Sequence, residues 1–352
     1  MADETPTALA QTAGEISDIL SARTRAKHEN KVLDLVRLYQ GQDLADLLDL
    51  LDLDRLLNAL DNRRWGPDSL KEFMRLVQSV VNKMSITVKA MMIRTLARKK
   101  MALAEEKFLA ALFKSESGEG LTRLKLDVDR ATDGYDLLHI LYQRFQNVEI
   151  RFELIHHFIR HCPEHKGLRV VSDIDDTLYS SLHDHRYARG TIYPGVLELL
   201  SQLSPYPPIF LTARPELSAS LFERITHRQL RRYGIEGATV LSGNLPGLFG
   251  HQRMANQKAR TLTQYIELYP EFRFLFLGDS GQGDMALSQK LLERNPPPIE
   301  RALIHRLAGG QPGSVSAHDL IQTFDDYGEA AGFLGRQGYL TPAQVEKVLA
   351  EL

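Results

Sequence analysis

The sequence holds one cysteine, Cys162, and one tryptophan among 352 residues. A single thiol excludes an internal disulfide framework, and the small disulfide-stapled folds with it, and fits a reducing compartment. Cys162 sits in FIRHCPEHKG at an expected helix end and reads as structural. Charge of one sign is also missing. The 43 Lys and Arg against 45 Asp and Glu leave a net −2, so no global basicity argues for a nucleic-acid partner. Charges break every apolar run well before the span of about 20 residues that a membrane helix needs. The opening MADETPTALAQ has neither the basic nor the apolar region of a secretory signal. The expectation is a cytoplasmic protein, although a signal-independent export route would escape this reasoning. Internal repeats and low-complexity tracts are not evident. What is present is ordinary for a globular chain, with 25% charged and 43% hydrophobic residues and length enough for two domains.

Residues 1–165 read as almost wholly helical. Leucines recur at spacings of three and four through DLADLLDLLDLDRLLNAL (43–60). In GPDSLKEFMRLVQSVVNKM (66–84), Pro67 and Asp68 suit a first turn, and Leu70, Phe73, Met74, Val77 and Val81 make one apolar stripe. One long helix is predicted over 85–114, and two more between 134 and 161. The character changes at Lys166 and Gly167. Short apolar strands now alternate with helical segments: LRVVS (168–172), PIFLT (208–212), ATVLS (238–242), FRFLFLG (272–278) and RALIHRL (301–307). This rhythm predicts an α/β domain over 166–308, a parallel sheet with helices on both faces and its ligand beyond the carboxyl ends of the strands. After the looser GGQPGS, residues 309–352 are expected to form two helices packed on that domain, the last opened by Thr341 and Pro342.

The first strand runs into VVSDIDDTLYSS (170–181). Side chains two apart on a strand share a face, so Asp173 and Asp175 can meet at one site. Two adjacent carboxylates repel unless a cation or a shared proton relieves them. That pattern suggests an aspartate nucleophile, an aspartate acid/base and a Mg²⁺ between them. Asp-x-Asp-x-Thr alone is a weak signal, because acidic loop clusters usually just solvate or cap. The apolar strand before it, and a second apolar strand ending in GDSGQGD with Asp279 and Asp284, make it a strong one. Thr212 follows the strand PIFLT, and Arg214 follows it in turn.

The order of these strand ends, with Lys258 opening a helix just before the fourth strand, resembles the haloacid dehalogenase (HAD) superfamily over about 168–307. Within it, SDIDDTL and GDSGQGD look like the App1-type phosphatidate phosphatase catalytic domain, and FLTARP (210–215) looks like the corresponding lipin segment. App1-type enzymes carry a β-rich N-terminal region, whereas this chain begins with a helical one. The resemblance implies a Mg²⁺-dependent phosphatase on a HAD-like Rossmannoid sheet with a minimal cap. It implies Asp173 as nucleophile and Asp175 as general acid and base. It implies Thr212 on a phosphoryl oxygen and Lys258, ahead of Arg253 or Arg260, neutralising the charge on phosphorus. Metal ligands would be Asp173, the Asp175 carbonyl and Asp279. Thr177 would fix the loop through its hydroxyl, and Asp284 would hold Lys258 or a metal-bound water. Asp176 would support the site or cap a helix. Arg214 would either clamp a substrate phosphate or cap its strand.

Between Tyr179 and Tyr193 there is room for a flap but not a folded cap, and the gap from Thr212 to Lys258 holds no large lid either. An open site suits a phosphate carried on a bulky body, such as a lipid at a membrane surface, more than a small metabolite. The flap residues His183, Asp184 and His185 invite a metal reading, but two histidines this close in a loop read as solvent-exposed or substrate-contacting rather than as a second metal site. Leu248 and Phe249 lie in a Gly-rich loop expected near the mouth. Lys89, Arg94, Arg98, Lys99 and Lys100 alternate with apolar residues in the helical half, which could face an anionic membrane or a protein partner; a solvated face on a core helix is the plainer reading. The expectation is phosphatidate hydrolysis by a cytoplasmic, membrane-peripheral enzyme. The rivals are a phosphatase for a soluble phosphoester or phosphoprotein, and a non-catalytic scaffold, which the full set of acids disfavours.

Overall fold

The computed structural model describes residues 7–22, 24–61, 68–130, 136–181, 183–212, 219–242, 251–281, 283–307 and 318–352. The chain divides into two compact units, one running to residue 163 and the other covering 164–352 with 132–134. Among the described residues no helix is long and apolar enough to cross a membrane.

The first unit is helical. The leucine-rich stretch forms two helices, Gly41–Asp49 and Leu53–Leu60, because the Asp52 carboxylate accepts from the Arg55 N–H at 3.0 Å and starts a second N-terminus. Their leucines 44, 47, 48, 53, 56, 57 and 60 are buried. Asp68 caps Ser69–Val77 in the same way. The long helix expected over 85–114 is instead two, Ile86–Ala97 and Leu103–Lys114. One local and two long-range contacts explain the break. The Ala102 N–H donates to the Glu105 carboxylate at 2.5 Å, and Arg98 and Lys99 pair with Asp54 and Asp61. Lys89 is buried against Glu116. Three of the five basic residues suggested for an outside partner are thus engaged within the unit.

The second unit is built on six parallel strands: β1 Gly167–Ser172, β2 Ile209–Thr212, β3 Thr239–Ser242, β4 Phe272–Asp279, β5 Arg301–His305 and β6 Ile321–Phe324. Their order is β3-β2-β1-β4-β5-β6, the doubly wound arrangement whose strand order reverses between β1 and β4. Most residues of β1, β2, β4 and β5 are buried, on both faces, as a parallel sheet covered by helices requires. Val170, Leu275, Leu277 and Leu303 pack with Val196–Leu203 and Tyr327–Arg336. Arg169 points the other way, toward His251–Glu267, where its Nη1 donates to the Tyr265 hydroxyl at 2.8 Å and its guanidinium lies 5.0 Å from the Tyr269 ring centre. The C-terminal segment, expected as helices alone, adds the edge strand β6 before Tyr327–Arg336 and Pro342–Leu349. Thr341 caps the last helix, with Pro342 in its first turn.

Candidate active site

The site forms where the fold predicts, beyond the carboxyl ends of β1 and β4. The Asp173 N–H donates to the Leu277 carbonyl at 2.8 Å, so β4 holds the residue that follows β1. Asp279 is the last residue of β4, and Asp284 is the first of the helix Asp284–Leu292, a position where the helix dipole favours a carboxylate. Asp173, Asp279 and Asp284 are all buried, and each offers one carboxylate oxygen within 4.8 Å of the others. Lys258 Nζ donates to Asp173 Oδ1 at 2.7 Å and to Asp284 Oδ1 at 2.9 Å. Lys258 lies inside His251–Glu267 rather than at the helix start that the sequence suggested.

Close packing makes this convergence possible. A Cβ on Gly278 would stand 2.7 Å from both Cβ and Oδ2 of Asp284, so no larger residue fits there. Gly283 takes a left-handed turn at φ 89° directly before Asp284. Asp279 Oδ1 accepts from the Gly281 N–H at 2.5 Å, which orients that carboxylate.

The charge balance is unfavourable as it stands. Burial pushes the Asp173 carboxyl above the usual carboxylate range; the Lys258 charge opposes this, and Asp284 and Asp175 add to it. Asp279 is raised as well, by burial and then by Asp284 and Asp173. Burial works against the Lys258 ammonium, yet the two carboxylates outweigh it and raise its pKa. One lysine therefore faces three buried carboxylates. Their donor atoms are all hard oxygens, which fits a cation of the Mg²⁺ type and not a thiophilic metal.

The turn after β1 supports the site. Asp175 Oδ1 accepts from the Ser181 hydroxyl at 2.8 Å. Asp176 adopts φ 60°, a left-handed conformation that Asp tolerates better than most residues. Its carboxylate accepts from the N–H groups of Ser181 at 2.7 Å and His183 at 2.8 Å, pinning the start of the flap. Thr177 was expected to fix the loop through its hydroxyl. That hydroxyl is buried and makes no hydrogen bond among the described residues; the Thr177 carbonyl instead accepts from the Tyr327 hydroxyl at 2.5 Å. Thr212 ends β2, buried, two residues beyond the register pair Ser172–Phe210. Arg214 and the loop with Leu248 and Phe249 lie outside the described residues.

Sequence reasoning missed the network behind the turn. Asp184 in the flap is buried. Arg186 grips it with Nε at 3.1 Å and Nη2 at 2.9 Å, and the Tyr193 hydroxyl donates to it at 3.0 Å. These donors outweigh burial and hold its pKa low. Arg186 Nη2 also donates to His305 Nε2 at 2.9 Å, which leaves His305 Nδ1–H to donate to the Asp176 carbonyl at 3.1 Å. Burial keeps His305 neutral by lowering its pKa. A chain from Asp184 through Arg186 and His305 thus reaches the turn that carries Asp175. Its members are scattered over more than a hundred residues, so no local pattern announces them. His183 and His185 are exposed.

Comparison with known proteins finds a family match within the α/β unit. Residues 168–306 match the family model of the phosphatidate phosphatase APP1 catalytic domain, a phosphatase family. The match covers well under half of the chain and leaves the helical unit outside it. No curated protein and no solved structure matches the chain.

Proposed function

Starting from a phosphatase domain of the APP1 catalytic type at residues 168–306, we propose that the α/β unit hydrolyses phosphatidate with Mg²⁺ as cofactor, in the manner of HAD-superfamily phosphatases, through an aspartyl-phosphate at Asp173. The observation that carries this reading is the buried set of Asp173, Asp279 and Asp284 around one lysine at the carboxyl ends of β1 and β4. Asp173 and Asp279, with the Asp175 carbonyl, would hold the ion, while Asp284 is engaged by Lys258. When bound, Mg²⁺ supplies positive charge against the phosphoryl oxygens and the clustered acids.

The chain's own groups account for the steps. A carboxylate oxygen of Asp173 attacks phosphorus, the oxygen–phosphorus bond forms, and the ester bond to the diacylglycerol oxygen breaks. Asp175 gives its proton to that leaving oxygen. A water then attacks the same phosphorus, Asp175 takes the water's proton, and the bond to Asp173 breaks to release inorganic phosphate. Lys258, fixed between Asp173 and Asp284, steadies the nucleophile and the charge that grows on phosphorus. Thr212, ending the strand next to β1, would donate to a phosphoryl oxygen. The enzyme would act from the cytoplasm at a membrane surface, since the segment over the site is a short flap.

The test compares phosphatidate in mixed micelles with sugar phosphates, nucleotides and phosphopeptides, with Mg²⁺ and with EDTA, for the parent and Asp173→Asn. Turnover of phosphatidate that needs Mg²⁺ and is abolished in Asp173→Asn is expected. Preference for a water-soluble ester would move the substrate to that class, and full activity in Asp173→Asn would remove the nucleophile assignment.

A further inference from the structure

The helix Val148–His161 buries Ile150, Leu154 and Phe158 in the helical unit. It carries a second apolar line that is exposed among the described residues. Val148, Phe152 and Ile159 are 48%, 55% and 54% exposed, and Ile155, partly buried, lies between them. Their spacing of four, three and four residues places all of them on one stripe, the pattern of a coiled-coil seam. Single exposed apolar residues need no explanation, but a continuous line of four on one helix marks a contact surface.

The polar edge beside the stripe indicates what covers it. Glu149 stands at the amino end, and His156 and Arg160 stand toward the carboxyl end. Glu153 is already paired with Lys114 at 2.5 Å. A groove of about 620 Å³ runs along this edge, bordered by Glu149, Phe152, His156 and Arg160. We propose that this face binds the same face of a second copy of the chain, with the two helices antiparallel about a two-fold axis. The antiparallel alignment sets Val148 against Ile159 and Phe152 against Ile155. It also brings Glu149 opposite His156 and Arg160 of the second copy. An anionic lipid surface would meet Glu149 and Glu153 beside the apolar line, so the mixed charge favours a protein surface over a membrane. The helix has 14 residues, hence a length of about 21 Å, and the contact falls at the small end of specific interfaces. The dimer is therefore a concentration-dependent one.

Sedimentation velocity on the full chain, from low to high micromolar concentration, reads the outcome. The parent should shift from the 39.8 kDa of one chain toward twice that mass. Phe152→Glu should stay monomeric at the highest concentration with an unchanged circular dichroism spectrum; Ile159→Lys serves if Phe152→Glu fails to fold. Glu149→Arg and Arg160→Glu should each weaken the dimer by about tenfold, and the double swap should restore it. A parent that remains monomeric throughout, a dimer indifferent to both stripe variants, or a double swap without rescue would overturn the proposal. Binding of phosphatidylserine vesicles that Phe152→Glu abolishes, with no dimer in solution, would overturn it in favour of a membrane.

Discussion

Replacing Lys258 by Met tests the site at its electrostatic centre. The ammonium is nearly inaccessible and donates to two carboxylates, at 2.7 Å to Asp173 and 2.9 Å to Asp284. Methionine fills similar space without charge. Removing one partner of a buried ion pair costs about 3–5 kcal/mol, because the other partner stays behind as an uncompensated charge. Asp173 can escape part of that cost by taking up a proton, since burial already favours its neutral form. The loss should therefore be smaller at acid pH and approach about 3 kcal/mol in mildly alkaline buffer. For a unit of this size that is a fall in melting temperature of roughly 6–12 °C. Mg²⁺ at about 100 times its dissociation constant stabilises a fold that binds it by about 2.7 kcal/mol, and the variant, freed of the ammonium that repels the ion, should bind it more tightly than the parent does, so the deficit should shrink when the ion is present. Turnover should nevertheless drop by about 10²–10³, the typical cost of deleting one preorganised donor to the developing charge. The assays are thermal unfolding in EDTA and in Mg²⁺, and release of phosphate from a phosphomonoester. A Lys258→Met protein that melts with the parent in EDTA and turns over within threefold of it would refute the electrostatic account.

Two further outcomes follow from the same geometry. Gly278→Ala would drive a methyl group to 2.7 Å from Asp284, so it should cost about 1–3 kcal/mol and displace that carboxylate; a variant with parental stability and turnover would show that the packing at β4 is loose. Asp173 and Asp279 carry raised pKa values in the folded chain, which thus holds protons that the unfolded chain has released. Stability of the metal-free protein should then be greatest below about pH 4 as far as these groups are concerned, and decline as pH rises through their folded values. The rise in melting temperature produced by Mg²⁺ should accordingly grow from about pH 5 to about pH 8, and an ion effect independent of pH would contradict the assignment.

Strands β1 to β5 were legible because each is a short, largely apolar run set between helical segments. Strand β6, Ile321–Phe324, was not, because its first three residues are only partly buried and two of them are polar. The break between Ile86–Ala97 and Leu103–Lys114 was hidden for another reason. No proline or glycine marks it; a glutamate cap and ion pairs to Asp54 and Asp61 do, and the latter lie some forty residues away. Among the acids, strand spacing revealed Asp173 and Asp175, and the GDSGQGD segment revealed Asp279 and Asp284. Asp176 showed only as an extra carboxylate. Its work depends on a left-handed backbone and on two N–H groups five and seven residues onward, which no side-chain periodicity encodes.

The site and the scaffold place opposite demands on this domain. Three buried carboxylates gathered around one lysine, two of them, Asp173 and Asp279, with pKa values raised by burial, lower the stability of the metal-free fold, while the apolar strands hold them there. A site left to itself would relieve the repulsion by letting Asp284 swing away, but Gly278 and the left-handed Gly283 leave its helix close against β4. Relief must then come from protons or from a divalent cation. Protons would disable a carboxylate nucleophile, so a cation is the relief compatible with catalysis. Under the proposed mechanism, the same packing that makes the metal-free domain less stable would preorganise it for the ion and for phosphate.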